Sequence, residues 1–202
     1  MKVSKLLVAT KNPGKILELE KLLTNSGLEI LNLHSFPPIA DVEEIGITFS
    51  ENALIKAHYY FQQTKVLSLS DDSGLLVDAL NGAPGVYSAR YAGPNASDKT
   101  RYEKLLTELK HVPLEKRTAR FICSLALVGD GIEEVFTAST QGQIIFTPRG
   151  ENGFGYDPVF EYVPLSKTFA ELSAEEKSTI SHRGKALIQL RDYFTRRSNL
   201  TF

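Results

Sequence analysis

Residues 118–146 hold two strand-length runs back to back, TARFICSLALVGDG and EEVFTASTQGQIIF, with a turn at Gly129-Asp130-Gly131 between them. A pair of neighbouring strands joined this way rules out a sheet made only of βαβ units. Upstream, the order is different. SKLLVAT reads as a buried strand, and KILELEKLLTNSG as a helix with Ile16, Leu19, Leu22 and Leu23 on one face and Gly27 as its stop. A short strand follows at 28–33. ITFSENALIKAHYYFQQT then reads as a helix, with a capping box from Thr48 and Glu51 and a packed face of Ala53, Ala57, Tyr60 and Phe61. The apolar run Val66-Leu67-Ser68-Leu69 predicts a strand that ends at Asp71-Asp72, and KTRYEKLLTEL predicts a further helix. Downstream of the strand pair, DPVFEYVP predicts a strand. Ser173 and Glu176 make a second capping box, and GKALIQLRDYF predicts a last helix with Ala186, Leu187, Leu190 and Phe194 inward. Strands that first alternate with helices and then pair directly give an α/β fold with a mixed sheet.

The 202 residues suit one large domain or two closely packed lobes, and 42% hydrophobic with 23% charged residues is ordinary for a globular chain that buries its own core. The net charge of −1, with no basic block, argues against a surface that tracks polymeric nucleic acid. It leaves room for a basic pocket around one nucleotide. With a single cysteine, Cys123, no disulfide can form within the chain, which fits a reducing compartment and makes the cytoplasm the default location. Cys123 sits in a strand pattern and reads as a buried, inert thiol. The N-terminal apolar run Leu6-Leu7-Val8-Ala9 is too short for a signal-peptide core or a membrane span.

Five segments carry chemistry-bearing residues. VATKNPGKI runs from a strand through a Gly/Pro loop to a lysine at a helix start, the architecture of a phosphate cradle, though taken alone an ordinary turn with a solvated lysine is the commoner explanation. It is not a Walker A loop: Ala9 and Ile16 stand where that motif needs Gly and Ser or Thr. Glu43-Glu44 precede the helix that carries Lys56, either as exposed acids or as metal ligands. Asp71-Asp72 could supply one carboxylate to a Mg²⁺ site, or the Asp-Asp-Ser-Gly run could be a turn. ENGFGYDPVF places Phe154 and Tyr156 among glycines, as a stacking surface for a flat base or as a tight turn with core aromatics. EEKSTISHRGKAL gathers Lys177, His182 and Arg183 near a helix start. Cations there oppose the helix dipole, so an anionic ligand or a solvated pair would account for them.

Taken in order, Thr10-x-Asn12-x-x-Lys15, the Glu43–Ala57 segment, Asp71-Asp72-Ser73-Gly74-Leu75, Gly82-Ala83-Pro84-Gly85, Ser88-Ala89-Arg90-Tyr91, Phe154-Gly155-Tyr156-Asp157-Pro158 and Ser181-His182-Arg183 resemble the inosine/xanthosine triphosphate pyrophosphatase family. The resemblance spans residues 10–183. It implies a single domain over 1–202, a long twisted mixed β-sheet with flanking helices, and two lobes around a central cleft, assembled as a homodimer. It implies Mg²⁺-dependent hydrolysis of noncanonical purine nucleoside triphosphates (ITP, dITP and XTP) to monophosphate and pyrophosphate. By the same resemblance Glu44 and Asp72 are metal-side carboxylates and Asp72 the proton acceptor. Thr10, Asn12, Lys15 and Lys56 face the triphosphate. Ser73, Phe154, Gly155, Tyr156, Asp157, Lys177, His182 and Arg183 face the nucleoside. Rival readings are a Maf-type nucleotide pyrophosphatase, against which the Ser-His-Arg and Phe-Gly-Tyr-Asp motifs weigh, and a nucleotide sensor without turnover.

Overall fold

The computed structural model describes residues 5–12, 14–17, 19 and 28–198. Seven strands, β1 (Lys5–Val8), β2 (Glu29–Asn32), β3 (Ser68–Val77), β4 (Thr118–Gly129), β5 (Ile132–Ile144), β6 (Phe160–Tyr162) and β7 (Lys167–Thr168), form one sheet in the order β2-β1-β3-β4-β5-β6-β7. β1 runs parallel to β2, with Lys5 opposite Glu29, and to β3, with Leu7 opposite Ser68. β6 runs antiparallel to both β5 and β7. A two-residue turn at Asp130-Gly131 joins β4 to β5, and Gly131 takes φ +65° there, the left-handed conformation such a turn asks for. The sheet is therefore mixed, as the alternation and the strand pair predict.

The helices are α1 (Phe49–Thr64), α2 (Asp98–Glu108), α3 (Ala174–Ile180) and α4 (His182–Ser198). Residues 14–17 and 19 are also helical, while Leu22, Leu23 and Gly27 lie outside the described residues. Both capping boxes form: Thr48 with Glu51 on α1, and Ser173 with Glu176 on α3. α1 buries Phe49, Asn52, Ala53, Ala57 and Tyr60, which leaves Phe61 half-buried.

Two boundaries differ from the sequence expectation. β3 does not stop at the acid pair but carries Asp71, Asp72, Ser73 and Gly74 as strand residues, so the turn reading of Asp-Asp-Ser-Gly fails. Residues 157–159 are not strand; β6 begins only at Phe160, because Asp157 closes a turn by accepting a hydrogen bond from the Phe154 N–H at 2.9 Å.

The chain divides into two compact units. The first comprises Met1–Asp72, Cys123–Ala138 and Arg183–Phe202, and the second Ser73–Ile122 and Ser139–His182. Each has its own core. In the first, Leu6, Val8, Leu67, Leu69, Cys123, Leu125 and Leu127 pack against Ala186, Leu187 and Leu190 of α4. In the second, Leu75, Val77, Phe121, Ile144, Tyr156, Phe160 and Phe169 pack with Leu105 and Leu109. A buried arginine, Arg117, ties down the chain after α2: it donates to the carbonyls of Val112 at 2.9 Å, Leu109 at 2.6 Å and Ile145 at 3.4 Å. Three carbonyl acceptors engage the buried guanidinium, and no carboxylate pairs with it among the described residues.

Candidate active site

β1 ends at Val8, and the loop that follows leads into the helical residues 14–17. Asn12 caps this helix start. Its Oδ1 accepts from the Lys15 N–H at 3.2 Å, and its carbonyl accepts from the Ile16 N–H at 3.0 Å. Thr10 Oγ1 in turn accepts from the Asn12 N–H at 3.3 Å. The Lys15 side chain is not solvated; its ammonium lies 3.0 Å from Asp71 Oδ1, with 15% of the side chain exposed.

Side chains alternate across a strand, so β3 sends Asp71 and Asp72 to opposite faces. That separates their partners. Asp71 meets Lys15 and, at 3.4 Å, the Arg183 guanidinium. Asp72 Oδ1 meets Lys56 of α1 at 3.4 Å, and Glu44 Oε1 reaches the same ammonium at 3.2 Å. Glu43 is exposed while Glu44 is half-buried, so the structure distinguishes the two members of the first acid pair.

The two aspartates have opposite acidities. Burial pushes the Asp71 carboxyl up, but Lys15, Arg183 and Lys56 outweigh it and hold the group well below the usual carboxylate range. Asp72 is raised to about 6, chiefly by burial and further by the charges of Glu44 and Asp71; Lys56 and Lys15 offset this only in part. Burial pulls Lys56 down, yet Asp72, Asp71 and Glu44 together leave it raised and charged.

Two carboxylates converging on one ammonium mark a place where positive charge is stabilised. Asp72 Oδ2 is also buried with no hydrogen-bond partner among the described residues. No group of three or more His, Cys, Asp or Glu side chains able to hold a metal occurs among the described residues. The chemistry of Glu44 and Asp72 thus fits an ion that needs one or two protein carboxylates and takes its other oxygens from water and phosphate, which is how Mg²⁺ is ordinarily bound.

The second unit holds another set. Asp157 Oδ2 accepts from the Lys177 ammonium at 2.6 Å as well as from Phe154 N–H, and that ammonium sits 5.0 Å from the Phe154 ring centre. Gly155 N–H donates to Asp98 Oδ2 at 2.7 Å. Phe154 is half-buried, as a stacking ring would be. Tyr156 is not: its ring lies in the core and its hydroxyl donates to the Ser88 carbonyl at 2.8 Å. The core-aromatic alternative therefore describes Tyr156, and any contact it makes with a base is not through an open ring face. His182 is buried and stacks on Phe121 at 4.7 Å between ring centres. Ser73 is half-buried. The cations near the start of α4 have protein anions beside them, Asp71 for Arg183 and Asp157 for Lys177, so an external anion is not required to explain them.

The sequence alone assigns no role to two residues that anchor the site's loops: Asp98 pins Gly155 from 57 positions away, and Asn52 accepts from the Gly46 N–H at 2.7 Å, fixing the loop that carries Glu44. Of the candidate acid pair, Asp71 is the member that pairs with Lys15 and Arg183. Asn52 is fully buried although polar, and the signal that could have found it is an asparagine next to Ala53 on a helix face that the sequence marks as packed. Arg90, part of the Ser88-Ala89-Arg90-Tyr91 motif, is exposed and lies over the Tyr87 ring.

The Ham1 family model matches residues 6–193. The chain belongs to the Ham1 family. Ham1 structures from Coxiella burnetii and Staphylococcus aureus superpose with TM-scores of 0.88 and 0.87 at 42% and 40% identity, each covering 96% of this chain and 99% and 100% of theirs. A dITP/XTP pyrophosphatase of Bacillus cereus is 48% identical over 193 residues, 94% of either chain. The Ham1 match takes in both sets of site residues described above.

Proposed function

We propose that this protein hydrolyses noncanonical purine nucleoside triphosphates, ITP, dITP and XTP, to the nucleoside monophosphate and pyrophosphate. The observation that carries the reading is the pairing of Glu44 and Asp72 on one ammonium, with Asp72 buried and only weakly acidic. The name of the Bacillus cereus relative, dITP/XTP pyrophosphatase, supports the substrate class.

Water attacks the α-phosphorus, a new P–O bond forms there, the bond to the bridging oxygen breaks, and pyrophosphate leaves. Asp72 takes the proton from the attacking water. Burial raises the Asp72 carboxyl above the ordinary aspartate range, which makes it a stronger base than an exposed aspartate. Lys56 and Lys15 bring fixed positive charge to the phosphate oxygens, where negative charge builds up as the leaving group departs. Bound between Glu44 and Asp72, Mg²⁺ would neutralise phosphate charge and acidify a water molecule.

Base selection follows from donor chemistry. Hypoxanthine and xanthine carry an oxygen at C6, whereas adenine carries an amino group. Arg183 only donates. An oxo group facing it gains a charge-assisted bond of roughly 1.5–3 kcal/mol, and adenine forfeits that and leaves donors opposed, at a further ~1–3 kcal/mol. The combined preference is on the order of two to four decades. Within its own unit, half-buried Phe154 offers a ring face on which a flat base could stack, with Lys177 and Asp157 fixing its loop.

A homodimer and a cytoplasmic setting belong to the same proposal. The lone cysteine supports the second, and among the described residues no helix is long and apolar enough to cross a membrane.

The test is a panel of nucleoside triphosphates incubated with Mg²⁺ and scored for both products. ITP, dITP and XTP are expected to give monophosphate and pyrophosphate in equal amounts, with ATP far slower. Orthophosphate as the sole inorganic product, or tight binding with no turnover, would contradict the reading.

A further inference from the structure

Asp71 is the member of the acid pair that the mechanism leaves unused, yet it is the more completely buried of the two, with a side chain wholly shielded from solvent. Burying a carboxylate costs several kcal/mol unless it is paired, so its position calls for an account. Its two oxygens divide their partners. Oδ1 lies 3.0 Å from the Lys15 ammonium, and Oδ2 lies 3.4 Å from Arg183 Nη2. Lys15 comes from the helix after β1 and Arg183 from the first turn of α4, segments far apart in the chain.

We propose that Asp71 is a positioning residue whose two carboxylate oxygens hold Lys15 and Arg183 at once, so that the phosphate-binding ammonium and the base-reading guanidinium are set as a pair. The inference rests on the functional reading above, which assigns those two cations to the triphosphate and the base.

The residue type matters. A lysine stem has four rotatable bonds, and a tethered ammonium has less freedom to lose when a phosphate arrives. A carboxylate presents acceptors on both oxygens, which suits two cations. An amide of the same shape presents one acceptor and one donor, and its donor would face a cation whichever way it turned. Asn at 71 must therefore release either Lys15 or Arg183. Glutamate keeps both acceptors on a longer stem.

The experiment compares Asp71→Asn and Asp71→Glu with the wild type on ITP and ATP, with Mg²⁺ present and folding checked by thermal unfolding. For Asp71→Asn we expect kcat/KM on ITP to fall about a hundredfold and on ATP much less, so that the ITP-over-ATP preference shrinks by about tenfold or more. Asp71→Glu should restore part of that preference. A role in folding alone would reduce the active fraction, lower both substrates equally and leave the ratio unchanged; an unchanged ratio overturns the proposal. Should Asp71→Asn fail to fold, the cycle of Lys15→Ala, Arg183→Ala and the double variant decides instead. Sharing one counter-ion predicts a double loss on ITP about tenfold smaller than the product of the single losses. Simple multiplication of the two losses overturns it. Wild-type enzyme that releases no pyrophosphate from ITP would defeat the functional reading itself, whereas normal turnover with an unmoved ratio defeats only the role of Asp71.

Discussion

Asp71 and Asp72 are chemically the same residue, one peptide apart, and the fold gives them opposite properties. The cations on Asp71 keep it ionised, so its contribution to stability is present above the ordinary aspartate range and is lost on acidification. For Asp72 the sign reverses. Its acidity moves from 3.8 to about 6 on folding, so the native state holds the proton more tightly. Ionising it costs stability progressively across that window, and the full penalty is present above it. Asp72→Asn is therefore expected to abolish turnover and yet raise the unfolding free energy by about 1–3 kcal/mol at pH 8, read by urea unfolding. A destabilised variant, or one with near-normal turnover, would contradict this. By the same reasoning kcat/KM of the wild type should decline below about pH 6, where Asp72 takes up its proton. Neither acidity was legible in the sequence. A run of Asp-Asp-Ser-Gly reads locally as a turn, and the contact with Arg183 that helps to hold Asp71 ionised spans 112 positions.

Elements with local signals were the most legible. Capping boxes are set by four consecutive residues, and both formed where the sequence placed them. Helix faces read from apolar spacing also held, as in Ala186, Leu187 and Leu190 of α4. Loops carrying site residues were harder, since long-range anchors hold them. The segment before α1 is an example. Gly46 donates to Asn52, and a Cβ at Gly46 would lie 2.7 Å from both Asn52 Oδ1 and Glu51 Cβ. Gly46→Ala should therefore displace the loop and Glu44 with it, while α1 keeps its cap. We expect roughly a tenfold rise in the Mg²⁺ concentration for half-maximal rate, with helicity by circular dichroism little changed. An unaltered Mg²⁺ requirement would show that Glu44 is not part of the ion's surroundings. The second unit's aromatic loop has its own anchor: Gly153 takes φ +77°, and a side chain there would overlap the Asp157 carboxylate. Sequence spacing brought Phe154 and Tyr156 together as equals. Packing in the second unit's core, together with the Tyr156 hydroxyl's bond to Ser88, 68 positions away, assigns that ring to the core.

At the scale of the whole molecule, the mixed sheet was legible because its two halves have different grammars. βα alternation requires parallel neighbours, and a two-residue turn requires an antiparallel pair. β7 and the true start of β6 were not, because strands of two and three residues carry too few positions for a pattern of period two. Ham1 membership and the likeness to solved Ham1 structures fit this architecture throughout. The central chemical claim is that water attacks the α-phosphorus with Asp72 as base, and product identity alone does not say which phosphorus was attacked. Hydrolysis of ITP in heavy-oxygen water, followed by mass spectrometry of the two products, does. The label is expected in the inosine monophosphate alone. Label in the pyrophosphate would place the attack at the β-phosphorus and contradict the account.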